Sequence, residues 1–203
     1  MAIESGFFSD VALSASLAQA DFEQLEDGSS DPGMPSPADR VVYFGLPNAA
    51  KKVQALSSPG VDPILIKINS NVPAWAVSSA YSVGDIVQPP TPNGYKYQSE
   101  SDGNSDATEP AAWPTTIGAT VVDGGVTWRC IDEIHEASEI RLASTQAGLD
   151  GATPGADLDL GNTVNGGTSR AVWMRAAQGT HPTGNSVYTD LRLDTVDLVE
   201  SAL

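Results

Sequence analysis

The chain has 203 residues, and its 26 Asp and Glu against ten Lys and Arg leave a formal charge of −16. A protein this acidic repels phosphate backbones and lacks the clustered cations that would neutralise them, so nucleic acid is excluded as a direct partner. Charged residues make up only 18%, and 19 glycines and 14 prolines separate runs rich in Val, Ile, Thr and Tyr; this predicts a mainly β protein with one sizeable domain and one small one.

Cys130 is the only cysteine, which excludes an intrachain disulfide framework. Between Trp128 and Ile131 it reads as a buried small hydrophobe rather than a nucleophile. The start MAIESGFFSD has no basic region followed by an apolar core, so no signal peptide is expected. No apolar run is long enough to span a bilayer, and membrane insertion is not expected. The chain is expected to be made in a cytoplasm and to reach any extracellular place by another route, such as assembly into a particle released by lysis.

Residues 1–25 place Val11, Leu13, Leu17 and Phe22 at spacings that fit neither strand nor helix. They predict an N-terminal arm, with two readings open: ordering on a neighbouring subunit, or an edge strand of the chain's own sheet. Glu26 to Asp39, with Pro32, Pro35 and Pro37, is a loop. Arg40 to Gly45 reads as a strand ended by glycine, Leu46 to Asn48 as a turn, and Ala49 to Leu56 as a short helix or a strand. After the turn at Ser57 to Gly60, Val61 to Ile68 gives the strongest strand signal, with enough apolar residues to predict burial on both faces.

The stretch from Pro73 to Asp132 concentrates the aromatics, holding Trp75, Trp113 and Trp128 of the four tryptophans and Tyr81, Tyr95 and Tyr97 of the five tyrosines. Short strands are predicted at Asp85 to Gln88, Tyr95 to Ser99 and Val126 to Ile131, with Asn93-Gly94 as a turn or plain loop. Ser101 to Ala112 is polar and loop-like.

Trp75, then YSVGDIV from Tyr81 to Val87, then NGYKY from Asn93 to Tyr97, then Glu109-Pro110 and Trp113 follow an order of motifs. That order resembles the small chitin-binding carbohydrate-binding modules of the 5/12 type. The continuation from Trp113 to Trp128, through Gly118 and Asp123-Gly124, looks like the variant of that module found in tail, baseplate and head-surface proteins of bacteriophages. The resemblance covers residues 73–132 and implies an inserted small aromatic-rich β module. It also implies that Gly84-Asp85 is structural, the carboxylate capping backbone amides.

Beyond this stretch, Glu136 to Ala143 alternates Ile140 and Leu142 with Glu139 and Arg141 and predicts a half-buried strand. Gly148 to Gly155 is a turn-rich connection, Ala156 to Leu160 a short strand, and Asn165 to Gly167 a turn. Ala171 to Ala176 is a strand, Gln178 to Asn185 a loop, and Val187 to Leu193 and Thr195 to Val199 a closing pair. Strands at this spacing on both sides of the aromatic stretch predict one discontinuous β sandwich, residues 1–72 plus 133–203, with 73–132 as the insertion. The hairpin from Trp173 to Leu193 resembles the terminal hairpin of Ig-like domains in phage virion proteins, which implies an Ig-like sandwich.

No catalytic constellation, metal site or cofactor motif is expected. His135 and His181 stand in no metal-ligand spacing, and His181 reads as an exposed loop residue. Cys130 and His135 have no evident third group to orient them as a nucleophile pair. Neither a G-x-S-x-G nor a phosphate loop occurs. Asp150, Asp157 and Asp159 lack the spacing of a helix-loop-helix calcium site and read as solvated acids.

The aromatics carry the remaining question. Sugars lay their C–H faces on exposed rings, whereas a module this small needs most of its rings to fold. Trp75, Tyr81 and Trp128 are expected in the core; Tyr95, Tyr97 and Trp113 are the candidates for a surface that binds glycan. The family resemblances imply a non-enzymatic structural protein of a bacteriophage particle, at the tail, baseplate or capsid surface. Its partners would be other virion proteins and copies of itself, with the module displayed outward. The alternative is an adhesion protein that recognises a host surface polysaccharide.

Overall fold

A computed structural model describes residues 4–17, 21–26, 39–176 and 187–203, with only the backbone at 21–26 and 187–189. The loop expected at Gln178 to Asn185, with His181, and most of the proline-rich loop before Asp39 lie outside the described residues. The chain is mainly β and divides into two compact units, residues 1–69 with 136–203 and residues 70–135.

The first unit is built from antiparallel sheets. One runs in the order Gly6–Phe8, Arg40–Gly45, Ser169–Ala176, Ile140–Ala143, and a second in the order Leu158–Asp159, Leu65–Ser70, Val187–Thr195, Asp21–Glu26. A three-stranded sheet joins Val164–Asn165, Lys51–Ala55 and Leu198–Ala202. Phe44, Ile140, Leu142, Val172 and Met174 of the first sheet pack in one apolar cluster with Ile66, Ile68, Leu191 and Leu193 of the second and Val53 and Val164 of the third. Two sheet faces sharing one core make a β sandwich.

Two expected strands change in detail, and one open choice is decided. The Leu65–Ser70 strand is buried on one face only, because Ile64, Ile66 and Ile68 point inward while Leu65 and Lys67 are half-buried. It starts at Leu65 because the amides of Val61 and Asp62 close a turn on the Ser58 carbonyl, which leaves Val61 exposed. Ala49 to Leu56 is resolved as the strand Lys51–Ala55. Ahead of Ile140–Ala143, Ala137–Glu139 forms a 3-10 turn, in which the Glu136 amide donates to the Glu139 carboxylate at 2.8 Å.

In the N-terminal stretch, residues 6–8 form an edge strand. Gly6, Phe7 and Phe8 pair with Gly45, Phe44 and Tyr43, and the Phe7 ring stands edge-on to Phe44 at 5.7 Å. The chain then folds back, bridging Phe8 to Ser16 and burying Leu13. The Glu200 carboxylate fastens this edge from the other end of the chain, accepting the amides of Glu4 and Ser5 at 2.6 and 2.7 Å.

The second unit has its own sheet, in the order Thr120–Asp123, Val126–Glu133, Tyr95–Ser99, Ile86–Val87, and a two-stranded ladder of Ala80–Tyr81 with Gly103–Asn104. Its core is separate and holds Trp75, Val87, Tyr97, Val126, Trp128 and Cys130, with Tyr81, Tyr95, Trp113 and Val121 packed against them. The Thr120–Asp123 strand was not expected. It turns back through Gly124-Gly125, where Gly124 takes φ +59°, as the first position of a type II′ hairpin turn requires. Among the described residues, no helix is long and apolar enough to cross a membrane.

Candidate functional site

The second unit is assembled around one buried carboxylate. Asp123 ends the Thr120–Asp123 strand and is only 3% exposed. Its Oδ2 accepts the indole N–H of Trp75 at 2.7 Å and that of Trp128 at 2.9 Å, and its Oδ1 accepts the Asp106 amide at 2.9 Å. A charge placed in an apolar core needs such donors to offset its lost hydration. The same contacts fix the orientation of two of the largest rings and tie down the loop at Asp106.

The other rings close over this centre. Tyr81 stands edge-on to Trp128 at 4.8 Å, Trp113 lies 6.1 Å from Trp128, and Tyr97 lies 4.5 Å from Trp113. Their polar atoms have partners within the unit: the Trp113 indole donates to Glu109 Oε1 at 2.9 Å and the Tyr81 hydroxyl accepts the Ala76 amide at 2.9 Å. Gly84-Asp85 has the local role that the resemblance implied. Gly84 takes φ +97°, and the Asp85 carboxylate accepts the Ser82 amide at 2.8 Å.

The three residues expected to form a glycan-binding surface do not share one environment. Tyr97 is fully buried, and its assignment to the surface is corrected. Its hydroxyl donates to the Pro114 carbonyl at 2.9 Å and accepts from Asn93 Nδ2 at 2.8 Å, so neither ring nor hydroxyl is available to a ligand. Burial pushes its pKa up. Tyr95 and Trp113 are half-buried and packed against the core. Tyr81, expected in the core, is half-buried in the same way.

A signal for Tyr97 was present in the sequence. Lys96 and Gln98 flank it, and strand alternation sends it to the opposite face from both. Asp123 was missed as a central residue and entered only in the motif order from Trp113 to Trp128; its two indole partners are distant or hidden in the pairing of strands.

Elsewhere the polar groups hold the fold. Cys130 is buried, and burial, with Asp132 and Glu133 nearby, raises its thiol pKa, the opposite of an activated nucleophile. Asp150 pairs with Arg175 at 2.6 Å and Asp159 accepts the Gly161 amide at 2.6 Å, so both have structural partners. Among the described residues, no three His, Cys, Asp or Glu side chains stand close enough to hold a metal ion.

A scan against protein-family models, a search of curated proteins and a search of solved structures each found no match.

Proposed function

We propose that this chain is a non-enzymatic structural protein of a bacteriophage particle, in which an Ig-like sandwich binds neighbouring virion subunits and carries the aromatic unit as an accessory surface. The observation that carries this reading is how the aromatic residues are used. Trp75, Tyr97 and Trp128, which would have to be exposed to serve a ligand, are spent on the second unit's core and on its buried Asp123. A unit folded in this way is suited to adding contacts, and the order of its motifs resembles a module of phage tail, baseplate and head-surface proteins.

The test is to purify particles from a lysate in which this chain is produced and to label them with an antibody raised against residues 70–135. Labelling at regular positions on the particle is expected. Protein that stays wholly in the soluble fraction, with unlabelled particles, would overturn the reading.

Host-glycan adhesion is the second reading, and the incomplete burial of Tyr95 and Trp113 favours it. Sugar contact through so little ring area is weak at each copy and becomes effective through many copies on one particle. Retention on chitin or peptidoglycan that is lost in Trp113→Ala, with the fold retained, would support it.

A further inference from the structure

The sheet of the second unit has two unlike edges. Ile86–Val87 is two residues long and runs into Gln88 and then Pro89 and Pro90, which have no amide to offer a further strand. Thr120–Asp123 has neither Lys nor Pro on it, nor a bulge within its pairing with Val126–Glu133, and its one charge, Asp123, is turned into the core.

The hairpin register shows which groups this edge presents. Thr120, Val121, Val122 and Asp123 stand opposite Arg129, Trp128, Thr127 and Val126, and the Cys130 amide donates to the Ala119 carbonyl at 2.9 Å. Hydrogen-bonded pairs alternate along an antiparallel ladder. Ala119, Val121 and Asp123 therefore bond inward to the neighbouring strand, and the N–H and C=O of Thr120 and Val122 point away from it. The side chains of these two residues lie on the solvent face; Val122 is 72% exposed, and Val121 between them packs on the core.

From this geometry we infer that the Thr120–Asp123 edge pairs antiparallel with the same edge of a second copy of this chain, about a two-fold axis at Val121. In that register Thr120 of each copy faces Val122 of the other, and the two pairs exchange four main-chain hydrogen bonds. Such an interface is isologous. Local charge permits a second copy here: two chains of −16 repel over most of their surface, but this register places two uncharged side chains opposite each other at both pairs and no carboxylate opposite another.

A contact of so few residues buries much less than the roughly 1,000 Å² of a stable interface. It is weak between free chains and gains effect where other contacts already hold many copies together. This deepens the assembly reading and rests on it for its role in a particle, while the pairing itself rests on the register alone.

A cross-linking test in the full chain traps a weak pair. In an antiparallel ladder, hydrogen-bonded residues stand about 5.5 Å apart at Cα, within the range a disulfide spans. Thr120→Cys and Val122→Cys chains, mixed under mild oxidation, should form the mixed disulfide at least severalfold faster than either forms its own dimer. The unsubstituted chain controls for Cys130.

A Val122→Pro change in the Thr120→Cys chain should abolish the mixed disulfide, because it removes an outward amide that its own hairpin does not use. Unchanged tryptophan fluorescence would show that the unit is still folded, and Val122→Lys provides a second variant without a backbone change. Mixed linking no faster than self-linking, or linking that survives both variants, would overturn the inference. If the chain is oligomeric by light scattering but does not cross-link, the edge pairing fails and the assembly reading stands. Cross-linking in a protein that never joins particles would have the reverse meaning.

Discussion

The indole N–H of Trp75 donates to Asp123 Oδ2 across 48 positions of sequence, at 2.7 Å, and shares that oxygen with Trp128. This pair joins the entry of the second unit to its terminal hairpin. Replacing Asp123 with Ala leaves two buried indole donors without an acceptor, at a cost on the order of 3 kcal/mol or more. A unit this small has little reserve. Asp123→Ala should therefore unfold residues 70–135 selectively, with loss of near-UV dichroism from the tryptophans and retention of the sandwich's far-UV signal. A variant with unchanged denaturation would show that the carboxylate is not the centre of the core.

Trp113 and Tyr97 divide the roles that sequence reading gave them jointly. Trp113→Ala removes a half-buried ring that packs on Tyr97 and Trp128, and a loss of about 2–3 kcal/mol is expected, below the usual cost for a fully buried tryptophan. Tyr97→Phe keeps the ring but strands the Pro114 carbonyl and the Asn93 amide, with an expected loss of about 1–2 kcal/mol. Urea denaturation followed by fluorescence checks both; no effect from Tyr97→Phe would contradict the buried placement of the hydroxyl.

The N-terminal edge strand should be sensitive to acid. Burial alone would raise the Glu200 pKa, but the amides of Ser5 and Glu4 and the Lys51 ammonium outweigh it and hold the carboxyl below its ordinary value of 4.5. A depressed folded value means that the stabilisation is present above the ordinary value and is lost as pH falls through the folded one. Asp39 follows the same sign, held down chiefly by its bonds from Arg175. Hydrogen exchange at Phe8, whose amide faces the Arg40–Gly45 strand, should accelerate as pH falls below the ordinary glutamate value, after correction for intrinsic rates. Glu200→Ala should produce the same loss of protection at neutral pH.

Gly166 tests the turn before Ser169–Ala176. A Cβ there would overlap the Asn48 carbonyl oxygen, and the Gly166 amide donates to Lys51 at 2.8 Å. Gly166→Ala should cost at least about 2 kcal/mol, since either the turn or the Val164–Asn165 pairing must move. An unchanged melting temperature would contradict this close approach.

Much of the strand pattern was legible because period-2 alternation and turn residues are local signals. Arg40–Gly45, Tyr95–Ser99 and the half-buried Ile140–Ala143 follow from them directly. The Leu65–Ser70 strand was legible as a strand but not in its exposure, because Leu65 reads as apolar whichever face it occupies. Trp113 illustrates the limit of the reading. Flanking prolines and small residues mark a loop, but its contact with Tyr97 is made by the tertiary fold. Asp123 was legible only as part of a motif; its role depends on two indoles brought together by the hairpin and by the chain entering the unit at Trp75.

The account's central claim, that this chain works by assembly, is tested most directly by the mass of the full-length protein in solution, measured by light scattering across a concentration series. The account predicts a symmetric oligomer, or a mass that climbs with concentration, in protein not retained on chitin or peptidoglycan. A compact monomer of 21.1 kDa at every concentration, retained on either polysaccharide, would contradict it and move the function to the half-buried Tyr95 and Trp113.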